Sequence, residues 1–343
     1  MSNTTKLIPE QIDWHVGIDI SKEWLDCRLC PGGAALHCDN STEGFSRLHR
    51  WLTGHGAPPD STIICMENTG IYGKRLLAAL TDHGWLCAVE KTTITDKVSP
   101  EHHRKEDGYD AELIAEYAER FTDKLNPQWP AEPEVEALRR LYTERRRLVR
   151  QRASTKTKQT QAGQYPTDNE LLTDSWQQQL AFYDEQIDRL EARMHQIVAG
   201  HQGLARYYGL LTSIPGVAEV TGWLWLILFY GQASLDPKKI SSRFGFAPHS
   251  NRSGTSKNGK TRSSGHGVSE MRSTMSLAVR SASTHCAKFK AYKQKKENED
   301  RCWPVIRNNL INKLIKIMCA IWNSQTPYDP DHTSRFDRQK NAA

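Results

Sequence analysis

The sequence predicts an α/β N-terminal domain, a long helical linker and a mainly helical C-terminal domain. Three observations carry this. Residues 14–89 hold short β-branched segments that first follow one another and then alternate with stretches of helical periodicity. Residues 176–197 repeat apolar side chains at alternating spacings of four and three. Trp223–Tyr230 is apolar nearly all round, as a core helix is, and helical periodicity continues to Trp322.

Taken in order, Trp14–Ile20 alternates and reads as a strand, Trp24–Cys30 as a second, and Pro31-Gly32-Gly33 as a turn into a third over Ala34–Cys38. Asn40–Gly44 caps a helix carrying Phe45, Leu48, Trp51 and Leu52. Thr62–Met66 is a continuous apolar strand of the kind covered on both faces, ending at Glu67. A helix over Tyr72–His83 and a strand over Trp85–Val89 follow. Meandering strands followed by β-α alternation imply a mixed sheet with helices against it.

A chain of 343 residues suffices for two or three domains. Met1–Gln11 has no apolar core segment of a signal peptide, and the longest apolar run is well short of the ~20 residues of a membrane span. A cytoplasmic protein is expected, with no membrane partner. The eight cysteines lie mostly in apolar segments; Cys27 and Cys30 have zinc-like spacing but no second ligand pair, so core thiols are expected. Charge is distributed unevenly. Residues 1–130 carry 13 basic and 20 acidic side chains, and residues 131–343 carry 33 and 20. An acidic domain is thus joined to a strongly basic remainder, and basic surfaces of that extent neutralise phosphates.

Four acids stand out in the acidic part. Asp19 interrupts an apolar strand, which is costly unless the carboxylate is paired or binds a cation. Glu67 ends a buried strand, at the edge where α/β sheets place their ligands. Asp107 and Asp110, three residues apart, share one face of a helix starting near Asp107. Alone, that last pair is equally an acidic first turn favoured by the helix dipole. Together the four form a set of hard oxygen ligands suited to Mg²⁺ or Mn²⁺.

Gly17-Ile18-Asp19-Ile20-Ser21-Lys22, Glu67-Asn68-Thr69-Gly70 and Asp107-Gly108-Tyr109-Asp110-Ala111 resemble the Piv/MooV type of DEDD insertion-sequence transposase. The resemblance implies an N-terminal domain of ribonuclease H-like, RuvC-like fold, with Asp19, Glu67, Asp107 and Asp110 as its metal ligands. Glu106 departs from the family's usual threonine and adds a charge beside the site.

The expected boundaries are 1–125, 126–205 and 206–343, the first falling before the break at Pro127–Pro130. Arg139, Arg140, Arg145, Arg146, Arg147 and Arg150 form a one-sided basic run, read as phosphate-binding rather than a solvated helix face. Trp176, Leu180, Tyr183, Ile187, Leu190, Met194 and Ile197 form a heptad seam, which pairs either with the preceding helix or with another subunit. The resemblance favours a coiled-coil arm used in dimerisation. Ile214-Pro215-Gly216 is similar to a helix-hairpin-helix turn, for which phosphate contact and a purely structural use are both open. The stretch His249–Gly267 reads as a long loop, with Arg252, Lys257, Lys260 and Arg262 and no acid. Pro248 followed by Ser253-Gly254 is similar to the family's C-terminal motif, and the resemblance makes Ser253 the nucleophile that joins to DNA phosphate. His249 and His266 are near it in sequence but are poor candidates for its base.

The resulting expectation is a DNA transposase or recombinase with a Mg²⁺-dependent acid tetrad and a serine nucleophile. The resemblance adds donor and target DNA, a structured guide RNA, and a homodimer or homotetramer whose acid and serine halves come from different subunits. The competing readings are a metal-dependent structure-selective nuclease in which Ser253 is idle, a Piv-like invertase, and a non-catalytic binding protein.

Overall fold

The computed structural model describes residues 11–91, 107–164, 169–253, 257–263 and 267–332. The chain divides into two compact units, one ending at Ala131 and the other starting at Glu132.

The first unit is built on a five-stranded sheet of β1 (Trp14–Ile20), β2 (Trp24–Cys30), β3 (Ala35–Asp39), β4 (Thr62–Glu67) and β5 (Leu86–Glu90), in the order β3-β2-β1-β4-β5. β1, β4 and β5 run parallel, and β2 and β3 are antiparallel additions. Helices α1 (Thr42–Gly54) and α2 (Tyr72–Asp82) cover one face through Phe45, Leu48, Leu52, Leu76 and Leu80. These pack on Val16, Ile18, Ile20, Leu25, Cys27, Leu29, Ile64 and Met66, the alternate positions that period-2 patterning assigns to one side. The α1 start is as expected: Ser41 accepts a hydrogen bond from the Gly44 N–H at 3.2 Å. Helix α3 (Asp107–Arg120) covers the opposite face, where Ile114, Tyr117 and Ala118 meet Ile63, Cys65 and Ala88. A mixed five-stranded sheet between helices is compatible with a ribonuclease H-like domain.

The second unit is mostly helical. Helices α4 (Pro133–Ala162) and α5 (Glu170–Gly200) form an antiparallel hairpin, held by Arg145–Glu191 at 2.6 Å and Arg152–Asp184 at 2.6 Å. The heptad seam of α5 therefore meets the preceding helix of its own chain. The hairpin's base is in the core through Leu138, Tyr142, Met194 and Val198, while Trp176, Leu180 and Tyr183 further out are only half-buried. Next come α6 (Gln202–Thr212), α7 (Glu219–Phe229) and α8 (Pro237–Arg243). Helix α7 is the expected core helix, with Trp223 and Trp225 fully buried. A two-stranded ribbon, β6 (Pro248–Ser253) and β7 (Lys257–Ser263), replaces the expected loop. Its sequence is polar throughout and shows none of the apolar alternation that marks a strand. Helices α9 (Ser269–His285), α10 (Ala287–Glu297) and α11 (Trp303–Ser324) complete the unit. The Ile214-Pro215-Gly216 turn packs inward: Gly216 has φ +93°, and a Cβ on it would lie 2.4 Å from the Ala282 amide nitrogen. Among the described residues no helix is long and apolar enough to cross a membrane.

Candidate functional site

The pairing of β1 with β4 runs from Trp14↔Thr62 to Ile18↔Met66, so Asp19 and Glu67 follow side by side at the carboxyl ends of two central strands. Strand alternation puts them on the face shared by His15, Gly17 and Cys65, which is the face α3 covers. The direction of α3 follows from two contacts. Gly17 lets the helix backbone approach closely, since a Cβ there would lie 2.1 Å from Ala111 O and 2.3 Å from Ala115 N. Thr122, just beyond the helix, lies 2.9 Å from the His15 ring at the start of β1. Helix α3 therefore runs against β1, and its first turn stands at the sheet edge where Asp19 and Glu67 lie. Asp107 opens the helix, and Asp110, half-buried, is in that first turn. Three separate elements thus bring Asp19, Glu67 and the first turn of α3, which carries Asp110, to one end of one face; the Asp107 side chain and Glu106 lie outside what is described.

The register extends this row of charge across the whole sheet. Asp19 pairs with Asp26, Asp26 with His37, and Glu67 with Glu90. At one end the charge is compensated: His37 Nδ1 is 2.7 Å from Asp26 Oδ1, and this contact raises the imidazole above its ordinary pKa. At the other end Glu90 is half-buried beside Glu67, and both carboxylates add to the burial that pushes the Cys65 thiol up. Sequence reading missed Glu90 because the fifth strand was expected to end at Val89. Asp26 and His37 lay inside expected strands, but their neighbours are set by register. The donor set fits a hard divalent cation: oxygen ligands only, from rigid elements, with like charges adjacent in the row.

His15 closes the other end of the α3 face. Thr122 Oγ1 donates to Ala118 O at 2.8 Å, so it accepts from His15 Nε2, and Nδ1 carries no proton. Burial lowers the pKa of this ring.

Among the described residues, the one group of possible ligands within mutual reach is in the second unit, where one atom each from Glu132, Glu134 and His201 lies within 4.8 Å of the others. These residues already serve two helix starts. His201 Nδ1 accepts the Leu204 N–H at 3.2 Å while Nε2 donates to Glu132 at 3.1 Å, and both acids are at the start of α4. A cation on Nε2 would require a proton on Nδ1, where the cap needs a lone pair.

Ser253 is the last residue of β6, paired with Lys257; His249 pairs with Arg262, and His266 lies outside the described residues. Arg252 is on β6, and Lys260 is on β7. The basic run on α4 separates into two groups. Arg139, Arg145 and Arg146 hold Glu136, Glu191 and Glu270 at 2.7, 2.6 and 2.7 Å and are half-buried. Arg140, Arg147 and Arg150 are exposed at helical spacing together with Thr143 and Ser154. Of these, Arg147 pairs with Glu144 one turn back, and Arg140 and Arg150 have no acidic partner among the described residues.

A mixed sheet whose central strands end in acids beneath a helix start is compatible with the DEDD class of nucleic-acid enzymes. The family model DEDD_Tnp_IS110, a transposase family, matches residues 16–162, and the model of the transposase IS116/IS110/IS902 family matches residues 208–294. The two matches support an IS110-type transposase, and with it an enzyme that cuts and rejoins DNA. No curated protein matches the chain.

Proposed function

We propose that the protein is an insertion-sequence transposase in which Asp19, Glu67, Asp107 and Asp110 hold Mg²⁺ or Mn²⁺ and Ser253 is the nucleophile. The observation that carries this reading is the row beginning with Asp19 and Glu67 at the edge where α3 starts. Bound there, the cation would neutralise phosphate charge and favour departure of the leaving oxygen. The chain's own part is then defined. The Ser253 Oγ–P bond forms as one P–O bond of the DNA backbone breaks, the serine proton is lost, and the released strand keeps the leaving oxygen as a hydroxyl. Attack by another strand's hydroxyl on the phosphoserine reverses these steps and rejoins DNA.

Arg140, Arg147 and Arg150 on α4, and Arg252, Lys257, Lys260 and Arg262 on the ribbon, are the cations assigned to phosphates. Arg139, Arg145 and Arg146 keep a mainly structural role. The resemblance extends the reading to a structured guide RNA, a cytoplasmic location, and a homodimer or homotetramer. It also supports treating residues 126–205 as a linker arm. Asp19→Asn is expected to abolish strand cutting while leaving the fold intact. Ser253→Ala is expected to abolish the covalent protein–DNA adduct and strand exchange, both read on denaturing gels. Cutting that survives in Ser253→Ala would point instead to a nuclease that activates water.

A further inference from the structure

Residues 287–316 carry nine basic and three acidic side chains, so this one stretch holds as large an excess as the +6 of the whole chain. We propose that lysines gathered around Tyr292, namely Lys288 and Lys295 on α10 with Lys316 on α11, bind the phosphates of duplex DNA and lead it to the foot of the ribbon that carries Ser253. The inference rests on the transposase reading above and adds a DNA surface apart from the α4 arginines and the ribbon itself. On α10, Lys288 precedes Tyr292 by four residues, and Lys295 and Lys296 follow it by three and four, so all three are its neighbours on one side of the helix. From α11, Lys313 brings its Nζ to 5.1 Å from the Tyr292 ring and 5.7 Å from the Phe289 ring, and Lys296 Nζ is 5.8 Å from the Tyr292 ring. Aromatic faces thus hold two ammonium groups in place at the centre of the cluster.

The acids nearby are outnumbered. Lys293 pairs with Glu297 at 3.7 Å and Lys296 with Glu299 at 2.6 Å. Glu299 is held below the usual carboxylate range by its hydrogen bond from Lys296, and the charges of Lys295 and Arg301 act in the same direction. Lys288, Lys295 and Lys316 are exposed and have no acidic partner among the described residues; Lys288 Nζ donates only to the His332 carbonyl, at 2.8 Å. Position supplies the reason to assign DNA. The Phe246 carbonyl, two residues before β6 begins, accepts from Asn308 Nδ2 at 3.1 Å and Asn312 Nδ2 at 3.2 Å. Lys313 follows Asn312 directly, and Lys316 is one turn beyond it on the same side of α11. The lysine cluster and the foot of the ribbon therefore meet on α11. Unopposed ammonium groups leading to the serine that is assigned to DNA phosphate match the charge of a DNA backbone.

The test follows binding of the full-length protein to a fluorescently labelled DNA duplex by anisotropy across a salt series. Lys288→Ala/Lys295→Ala is expected to weaken binding and to lower the slope of log affinity against log salt by about two, one for each lost phosphate contact. Lys316→Ala should lower it by about one. Lys288→Arg/Lys295→Arg keeps both charges and should bind like wild type, and every variant should keep the wild-type Tm because the side chains are exposed. Arg47→Ala/Arg50→Ala removes two exposed charges from α1 and should leave the slope unchanged. If wild type binds the duplex but the lysine variants keep its slope, or Arg47→Ala/Arg50→Ala lowers it equally, this surface is overturned and the transposase reading stands. A loss confined to a labelled RNA hairpin, with the DNA slope kept, overturns it too and assigns the face to RNA. Failure of wild type to bind any duplex would remove the transposase reading itself.

Discussion

The two units handle charge in opposite ways. In the first, acids gather in one sheet row beneath a helix start, where Asp19, Glu67 and Glu90 stand as neighbours with the one basic side chain of the row, His37, at its far end. In the second, a run of arginines that looks unopposed in sequence is partly matched by distant acids, Arg145 by Glu191 and Arg146 by Glu270, as is Arg152 just beyond it by Asp184. Concentrated like charge on a rigid frame suits the binding of an opposite charge, because a ligand relieves its repulsion. Charge of one sign along a helix becomes a frame when the opposite sign arrives from other helices. Net charge by segment therefore separates the units but does not say which side chains are available to a partner.

The largest effect that bears on this contrast is expected at Gly17. Gly17→Val places side-chain atoms where the α3 backbone runs, so α3 must move off the sheet and carry Asp107 and Asp110 with it. A loss of about 3 kcal/mol is expected from such overpacking, read by urea denaturation, with Mn²⁺ binding lost as well. A variant with wild-type stability and metal affinity would show that α3 does not position the acids.

A pair of arginine variants sharpens the other side. Arg146→Ala leaves the mostly buried Glu270 without its partner and should cost about 1–3 kcal/mol, with little specific effect on DNA binding. Arg150→Ala should leave stability within about 0.5 kcal/mol and weaken DNA binding, lowering the slope of log affinity against log salt by about one. Identical profiles for the two would erase the distinction between structural and available arginines.

The smallest effect concerns His15. Its folded-state pKa lies below the unfolded value, so the unfolded chain takes up more protons. The first unit should lose stability as pH falls through about 6.5 and below, and gain nothing further above that value. His15→Gln should flatten this acid limb in pH-dependent melting; an unchanged limb would assign it to other groups.

Much of the fold was legible because it is local. The alternation of Trp14–Ile20, the apolar run at Thr62–Met66, the Ser41 cap and the all-round apolar α7 each record their surroundings within a few residues. Asp19 and Glu67 stand out for the same reason: a carboxylate within or ending an apolar strand is visible without knowing its neighbours, whereas Asp107 and Asp110 look like any acidic first turn of a helix. The β6–β7 ribbon was not, because its strands carry no apolar alternation. Nor was Glu90, one residue past the expected end of its strand.

The sequence by itself determined the strands of the first unit and most of the helices, that one half is acidic and the other basic, and which acids interrupt or end apolar strands. Only the tertiary structure decided that Glu67 stands beside Glu90, that Asp26 has His37 for a partner, that the α5 seam meets α4, and which arginines already hold an acid. The physical reason is that strand register and ion pairing join residues tens of positions apart. They are fixed by the packing of whole layers, whereas periodicity and capping are fixed by the few residues on either side.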